Sequence, residues 1–173
     1  MTSNQTEAAA APAASVEVCL ADYSDQRQGA DIVALMDHYS RDPFGGGEPL
    51  SEHCRAELVQ KLAEFPGAFS VLAYSAGRAV GLVNCFTGFS TFKCAPLVNI
   101  HDVVVHRDAR GAGICAAMLE LVTAEARARG CCKLTMEVLE KNLPAQTAYR
   151  KAGFKPYILD ESHGAALFWE RYL

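Results

Sequence analysis

Residues 103 to 116 read Val-Val-Val-His-Arg-Asp-Ala-Arg-Gly-Ala-Gly-Ile-Cys-Ala, a β-branched strand running into a glycine-rich turn that opens a helix with apolar periodicity. A strand, turn and helix joined this tightly point to an α/β sheet. The same unit sets a ligand class. Glycines at 111 and 113 let the backbone approach an anion, and the first helical turn offers unpaired N–H groups at the positive end of the helix dipole. The turn lacks the Gly-Lys-Ser/Thr ending of a nucleoside-triphosphate loop, since Gly113 is followed by Ile114 and Cys115. A dinucleotide fingerprint, Gly111-x-Gly113-x-x-Ala116 with Glu137 ending the next strand, fits the local pattern but not the position. About sixty residues follow Gly113, too few to complete a doubly wound nucleotide domain.

Periodicity orders the rest of the chain. Val16 to Leu20 reads as a strand, and Gly29 to Ser40 as a helix with Ile32, Leu35 and Met36 on one face. A second helix starts near Ser51 and ends before Pro66. Residues 68–74 and 79–89 form a hairpin about Ser75-Ala76-Gly77-Arg78. Residues 97–105 feed the glycine turn, the helix 114–129 stops at Gly130, and a strand 133–139 precedes a short helix 143–152. Strands from Phe154 and over residues 165–169 complete an α/β fold, a mixed and mostly antiparallel twisted sheet of about seven strands flanked by about four helices.

At 173 residues with half of them apolar, the chain reads as one domain, residues 16–173, behind an Ala/Ser/Thr-rich tail over residues 1–15. That tail lacks the basic and apolar segments of a targeting peptide. A net charge of −4 argues against nucleic acid or an anionic membrane as partner and favours a cationic or neutral substrate. The seven cysteines, at 19, 54, 85, 94, 115, 131 and 132, contain no Cys-x-x-Cys pair, so neither a disulfide framework nor a metal site is expected. A reducing, cytoplasmic setting follows.

Two motifs carry a family resemblance. Arg110-Gly111-Ala112-Gly113-Ile114-Cys115 resembles the Arg/Gln-x-x-Gly-x-Gly/Ala pyrophosphate loop of the GNAT acetyltransferases, with Cys115 where that family has glycine or alanine. The segment Asn142-Leu-Pro-Ala-Gln-Thr-Ala-Tyr149-Arg-Lys-Ala-Gly153-Phe154 is similar to the Asn-x-x-Ala-x-x-x-Tyr-x-x-x-Gly-Phe segment following the next strand in the same family. The resemblance covers residues 16–173 and implies acetyl-CoA as cosubstrate and transfer of its acetyl group to an amine. It implies that Arg110 to Cys115, Asn142 and Ala145 bind the coenzyme. It also implies that the backbone of Val103, Val104 and Val105 pairs with the pantetheine arm, and that Tyr149 protonates the departing thiolate.

An alkyl ammonium, with a pKa of about 10.4, is almost wholly unreactive at neutral pH, so the reaction benefits from a base. His101 and Asp102 precede the glycine turn on its strand, and the base is one of them or a water. Strict alternation puts only one of these neighbours toward the acceptor. It gives His101 the face of Val103 and Val105 unless a bulge intervenes. The stretch Asp42-Pro43-Phe44-Gly45-Gly46-Gly47 is either a plain connection or a loop over the acceptor, which would add Tyr39 and Phe44 to the substrate site.

Gly88-Phe89-Ser90-Thr91-Phe92-Lys93, the His101-Asp102 pair and the ending Gly164 to Leu173 resemble the polyamine acetyltransferase branch. In that branch tryptophan and glutamate occupy the places of Phe92 and His101. The resemblance implies a small amine acceptor contacted by Phe92, His101 and Asp102, and a homodimer. A protein or peptide acetyltransferase and a non-catalytic acetyl-CoA-binding regulator are the alternatives.

Overall fold

The computed structural model describes residues 15–160 and 162–173. The tail expected over residues 1–15 therefore lies outside the described residues, apart from Ser15. Elements follow in the order β1 (Val16–Leu20), α1 (Gln26–Ser40), α2 (Glu52–Glu64), β2 (Ala68–Ser75), β3 (Arg78–Ser90), β4 (Ala95–Val105), α3 (Ile114–Ala128), β5 (Leu134–Met136) and α4 (Leu143–Lys151). The five strands lie in sequence order, antiparallel from β1 to β4, with β5 added parallel to β4. The α/β class and mixed, mostly antiparallel sheet are as the periodicity indicates. No helix among the described residues is long and apolar enough to cross a membrane.

The sheet has two packed faces. On one, Ile114, Met118, Leu119, Val122 and Ala126 of α3 cover Val71, Val80, Val83, Cys85, Val98 and Ile100. Full burial of each large side chain contributes roughly 1.5–3 kcal/mol. Close approach of α3 depends on Gly81, where an added Cβ would sit 2.8 Å from the Met118 sulfur. On the other face, Ile32, Leu35 and Leu62 from α1 and α2 cover Leu72, Leu82 and Val104. Helix α1 begins three residues earlier than its apolar stripe suggests, because Asp25 caps it by accepting from the N–H groups of Arg27 and Gln28. The β2–β3 turn carries Ala76 and Gly77 at φ 50° and 74°, as a two-residue type I′ hairpin requires.

Two expectations need correction. The sheet has five strands among the described residues, not about seven, because residues 154–173 add only an isolated antiparallel bridge between Ile158 and Ala165. Tyr157, Leu167, Phe168 and Trp169 stand exposed, Trp169 at 84 %. A two-stranded hairpin exposed in this way is marginal on its own. The second correction concerns β4. Val83 pairs with Val103 and Asn84 with Asp102, but Cys85 pairs with Ile100, so His101 is an extra, unpaired residue in a β-bulge. The bulge resets the alternation. Val103 and Val105 pack on the α3 face, whereas His101 lies edge-on to Phe86 of the α1/α2 face, centroids 5.6 Å apart. His101 therefore does not share a face with Val103 and Val105.

Candidate functional site

Strand β5 pairs with β4 only from Val98↔Leu134 to Ile100↔Met136. From Asp102 to Val105 that edge of β4 has no strand partner among the described residues. Here the sheet opens, and a cleft of about 490 Å³ forms between the end of β4, the turn into α3, and α4. Val103 and Val105 form one wall, and Arg110, Gly111, Gly113, Ile114 and Cys115 form the end. Asn142, Ala145 and Tyr149 supply the opposite wall, while Tyr39, Asp42 and Phe44 reach in from the end of α1. Residues more than a hundred positions apart thus meet in one space.

The turn is shaped by its glycines. Gly111 and Gly113 both have positive φ, 84° and 79°, and a Cβ built on either would meet nothing within 4 Å. Gly113 caps α3 with no side-chain hydrogen bond, so the first-turn N–H groups of α3 are left for a ligand at the cleft's end. Ala112 is exposed at the tip of the turn. Arg110 folds back toward the protein. Its Nε donates to the Val105 carbonyl at 3.2 Å and its Nη2 to Asp42 Oδ2 at 3.0 Å, tying the turn to β4 and to the loop after α1. Asp42 is buried, and the Phe44 N–H, donating to its Oδ1 at 3.0 Å, with Arg110 beside it, holds its carboxyl below the usual range against the opposing effect of burial.

A second tie lies beside this one. His38 and His106 stack with ring centroids 4.3 Å apart, His38 Nε2 accepts from the Arg107 N–H, and His106 Nδ1 accepts from the Asp108 N–H. Burial pushes the His38 imidazole below its ordinary pKa, and His106, Arg107 and Arg110 act the same way against Asp42. A histidine with a lowered folded pKa is protonated first in the unfolded chain, so stability falls as pH drops below about 6.5. The melting temperature is expected to fall more steeply between pH 7 and 5 in the natural protein than in His38→Gln. Parallel curves would remove His38 from the acid response.

Asn142 caps α4 by accepting the Ala145 N–H at 3.2 Å and borders the cleft. Tyr149 lies about two turns further along α4, edge-on to Phe154. Its hydroxyl has no hydrogen-bond partner among the described residues. Burial drives the Tyr149 phenol well above its ordinary pKa, with Cys115 and Tyr39 adding to the shift, so the group carries its proton at neutral pH. Burial also raises the Cys115 thiol, as befits a side chain packed into the cleft wall.

His101 and Asp102 lie beyond the cleft on the α1/α2 face. Asp102 is close enough to raise the Tyr39 phenol, which burial already pushes upward. Phe65, Phe86 and His101 form an edge-to-face aromatic row on that side, with centroids 5.4 Å and 5.6 Å apart. The Val104 side chain is buried in the α1/α2 core, so that residue offers only its backbone. Phe92, at the β3–β4 turn, is wholly exposed and is not brought to the cleft. Asp42, His38 and Asn84 carry no local sequence signal of a site; Asp42 and Arg110, for example, are 68 positions apart.

The sequence model of a family described as "Acetyltransferase (GNAT) family" matches residues 32–154. No curated protein sequence matches the chain. Among solved structures, a ribosomal-protein-alanine N-acetyltransferase from Brucella melitensis biovar Abortus 2308 superposes with a TM-score of 0.63 at 19 % identity, over 92 % of this chain and 98 % of its own. An aminoglycoside acetyltransferase from an uncultured soil metagenomic sample, in complex with sisomicin, gives 0.72 at 14 % identity, over 91 % and 96 %. An acetyltransferase from Trypanosoma brucei gives 0.62 at 26 % identity, over 84 % and 96 %.

Proposed function

The chain belongs to the acetyltransferase (GNAT) family, and on that premise we propose that it moves the acetyl group of acetyl-CoA to a primary amine of a small molecule, by direct attack in a ternary complex. One observation carries this reading. The open edge of β4, the glycine turn with its free helix amides, and a half-buried, protonated Tyr149 all face one cleft. The donor set is chemically suited to the coenzyme: amides and a helix dipole for a pyrophosphate, an unpaired strand edge for an amide-bearing arm, and no side chain filling the space above Gly111 and Gly113.

When bound, acetyl-CoA supplies the thioester. The Arg110 to Cys115 turn holds its phosphates, and Asn142 and Ala145 border the arm. The backbone of Val103 to Val105 pairs with that arm, and one N–H there polarises the carbonyl. His101, Asp102 or a water takes the amine proton as the C–N bond forms. The C–S bond breaks, and Tyr149 gives its phenolic proton to the sulfur. Tyr39 and Phe44 border the acceptor, and the negative charge of Asp102 favours a cation. A polyamine or diamine is one candidate within this class.

Release of free thiol from acetyl-CoA, followed across spermidine, diamines, thialysine, amino acids and aminoglycosides, tests the proposal. Turnover with one amine class is the expected result. A second reading, a peptide acceptor, is favoured by the open aromatic row of Phe65, Phe86 and His101, and peptides bearing a free α-amine belong in the same panel. Tight coenzyme binding with no thiol release on any acceptor would sink both and leave a coenzyme-binding regulator. The uncovered residues Ile158, Leu159, Leu167, Phe168 and Trp169 support a homodimer in which a second copy covers them. Sedimentation is expected to give twice the chain mass, and a monomer at all concentrations would overturn that. Seven free cysteines fit a reducing, cytoplasmic setting.

A further inference from the structure

A row of polar side chains crosses three strands where the surrounding face is apolar. Ser70 of β2 sits directly opposite Asn84 of β3, and Asn84 directly opposite Asp102 of β4. Leu72, Leu82 and Val104 share that face. Ser70 and Asn84 are 1 % and 2 % exposed. A polar side chain buried this deeply destabilises the fold by about 1–3 kcal/mol unless it is fully hydrogen-bonded.

The hydrogen bonds close in one sense only. Ser70 Oγ lies 2.6 Å from Asn84 Oδ1, and Asn84 Nδ2 lies 3.0 Å from Asp102 Oδ2 and 3.4 Å from Met36 Sδ. Turning the Asn84 amide over would put its carbonyl oxygen against the Asp102 carboxylate, so the N–H₂ must face Asp102. The oxygen Oδ1 can only accept, so the Ser70 hydroxyl donates to it. Ser70 then accepts from the Tyr23 hydroxyl, 2.8 Å away. Burial raises the Tyr23 phenol, which keeps that donor protonated. Each group fixes the next, from Tyr23 through Ser70 and Asn84 to the carboxylate.

The row ends at the bulge. His101 is the unpaired extra residue, and it follows directly on the last pair of the unbroken register, Asn84 opposite Asp102, which keeps Asp102 on the α1/α2 face of Leu82 and Val104. One carboxylate oxygen, Oδ2, is held by Asn84, while Oδ1 has no hydrogen-bond partner among the described residues. The carboxylate lies within electrostatic reach of Tyr39, a residue of the cleft. We propose that Asn84, with Ser70 and Tyr23 behind it, is a positioning residue that holds the Asp102 carboxylate toward the acceptor amine, making Asp102 rather than His101 the group that receives the amine's charge. This rests on the amine-transfer reading above.

Asn84→Leu removes the donor while keeping the volume, and Ser70→Ala cuts the row one step earlier with little risk to folding. A hydrogen bond to a charged group accounts for about a tenfold to hundredfold effect. Asn84→Leu is expected to lower kcat/KM for the amine by about that factor, mostly through amine KM, with acetyl-CoA affinity unchanged. Ser70→Ala is expected to move the same parameter in the same direction by a smaller factor. In an Asp102→Ala background, Asn84→Leu is expected to have no further effect, which a merely structural role would not produce.

Loss of kcat/KM that is additive with Asp102→Ala would overturn the proposal, as would unchanged amine kinetics in Asn84→Leu. An amine-free readout separates this from the reaction itself: the Asn84 side-chain N–H₂ signals are expected to be protected from exchange and to lose protection in Asp102→Ala. Free exchange in the natural protein would overturn the row. Protected signals in a protein that acetylates nothing would uphold the row and sink the amine-transfer reading instead.

Discussion

Replacing Gly113 by glutamate is expected to abolish measurable acetyl-CoA binding, a loss of roughly a thousandfold or more in affinity. Two effects add. Gly113 sits at φ 79° as the N-cap of α3, a conformation that costs a residue with a Cβ about 1–2 kcal/mol. The larger effect is electrostatic. A carboxylate about 4 Å from a phosphate charge is opposed by about 4 kcal/mol at the effective dielectric of a protein surface, which corresponds to about three decades in affinity. The added side chain meets no protein atom within 4 Å of its Cβ, so the fold has room for it and the ligand site does not. Gly113→Ala separates the two causes, since it carries the backbone strain without the charge and is expected to lose about tenfold. Titration calorimetry on both variants checks this, and unchanged affinity in Gly113→Glu would move the phosphate site away from the turn.

The turn was readable from sequence because its signal is local: a β-branched run, two glycines and a helical period within fourteen residues. Tyr149 and Asn142 were readable for the same reason, since a cap and a side chain two turns along one short helix keep a fixed spacing. The facing of His101 was not. Nothing between Ile100 and Val103 marks a bulge, because it is created by the pairing of β3 with β4, where Asn84 and Cys85 oppose Asp102 and Ile100. Asp42 and His38 carry no such local signal, because their partners, Arg110 and the Arg107 N–H, are reached only through the fold. The strands expected over residues 154–173 have the right composition, but among the described residues they form only the Ile158–Ala165 bridge and leave Leu167, Phe168 and Trp169 exposed. Periodicity reports which side chains avoid water, not what covers them.

Tyr149→Phe is expected to lower kcat by about a hundredfold to ten-thousandfold, the usual contribution of a positioned general acid, while leaving acetyl-CoA affinity within about twofold. The substitution removes one oxygen from a ring that packs against Phe154 and the α3 core. Its hydroxyl supports no other described residue, so the fold loses little. The lost proton donor matters only as sulfur departs, and an interaction confined to the transition state lowers kcat and kcat/KM together without changing ground-state binding. The pH dependence follows from the same burial. Because the phenol is held well above its ordinary pKa, it stays protonated across the working range, and kcat is expected to show no alkaline loss attributable to Tyr149 below about pH 10. A phenolic deprotonation limb between pH 8 and 9 would contradict that environment. Full kcat in Tyr149→Phe would take the residue out of the reaction and assign protonation of the sulfur to solvent, with the cleft left as a binding site alone.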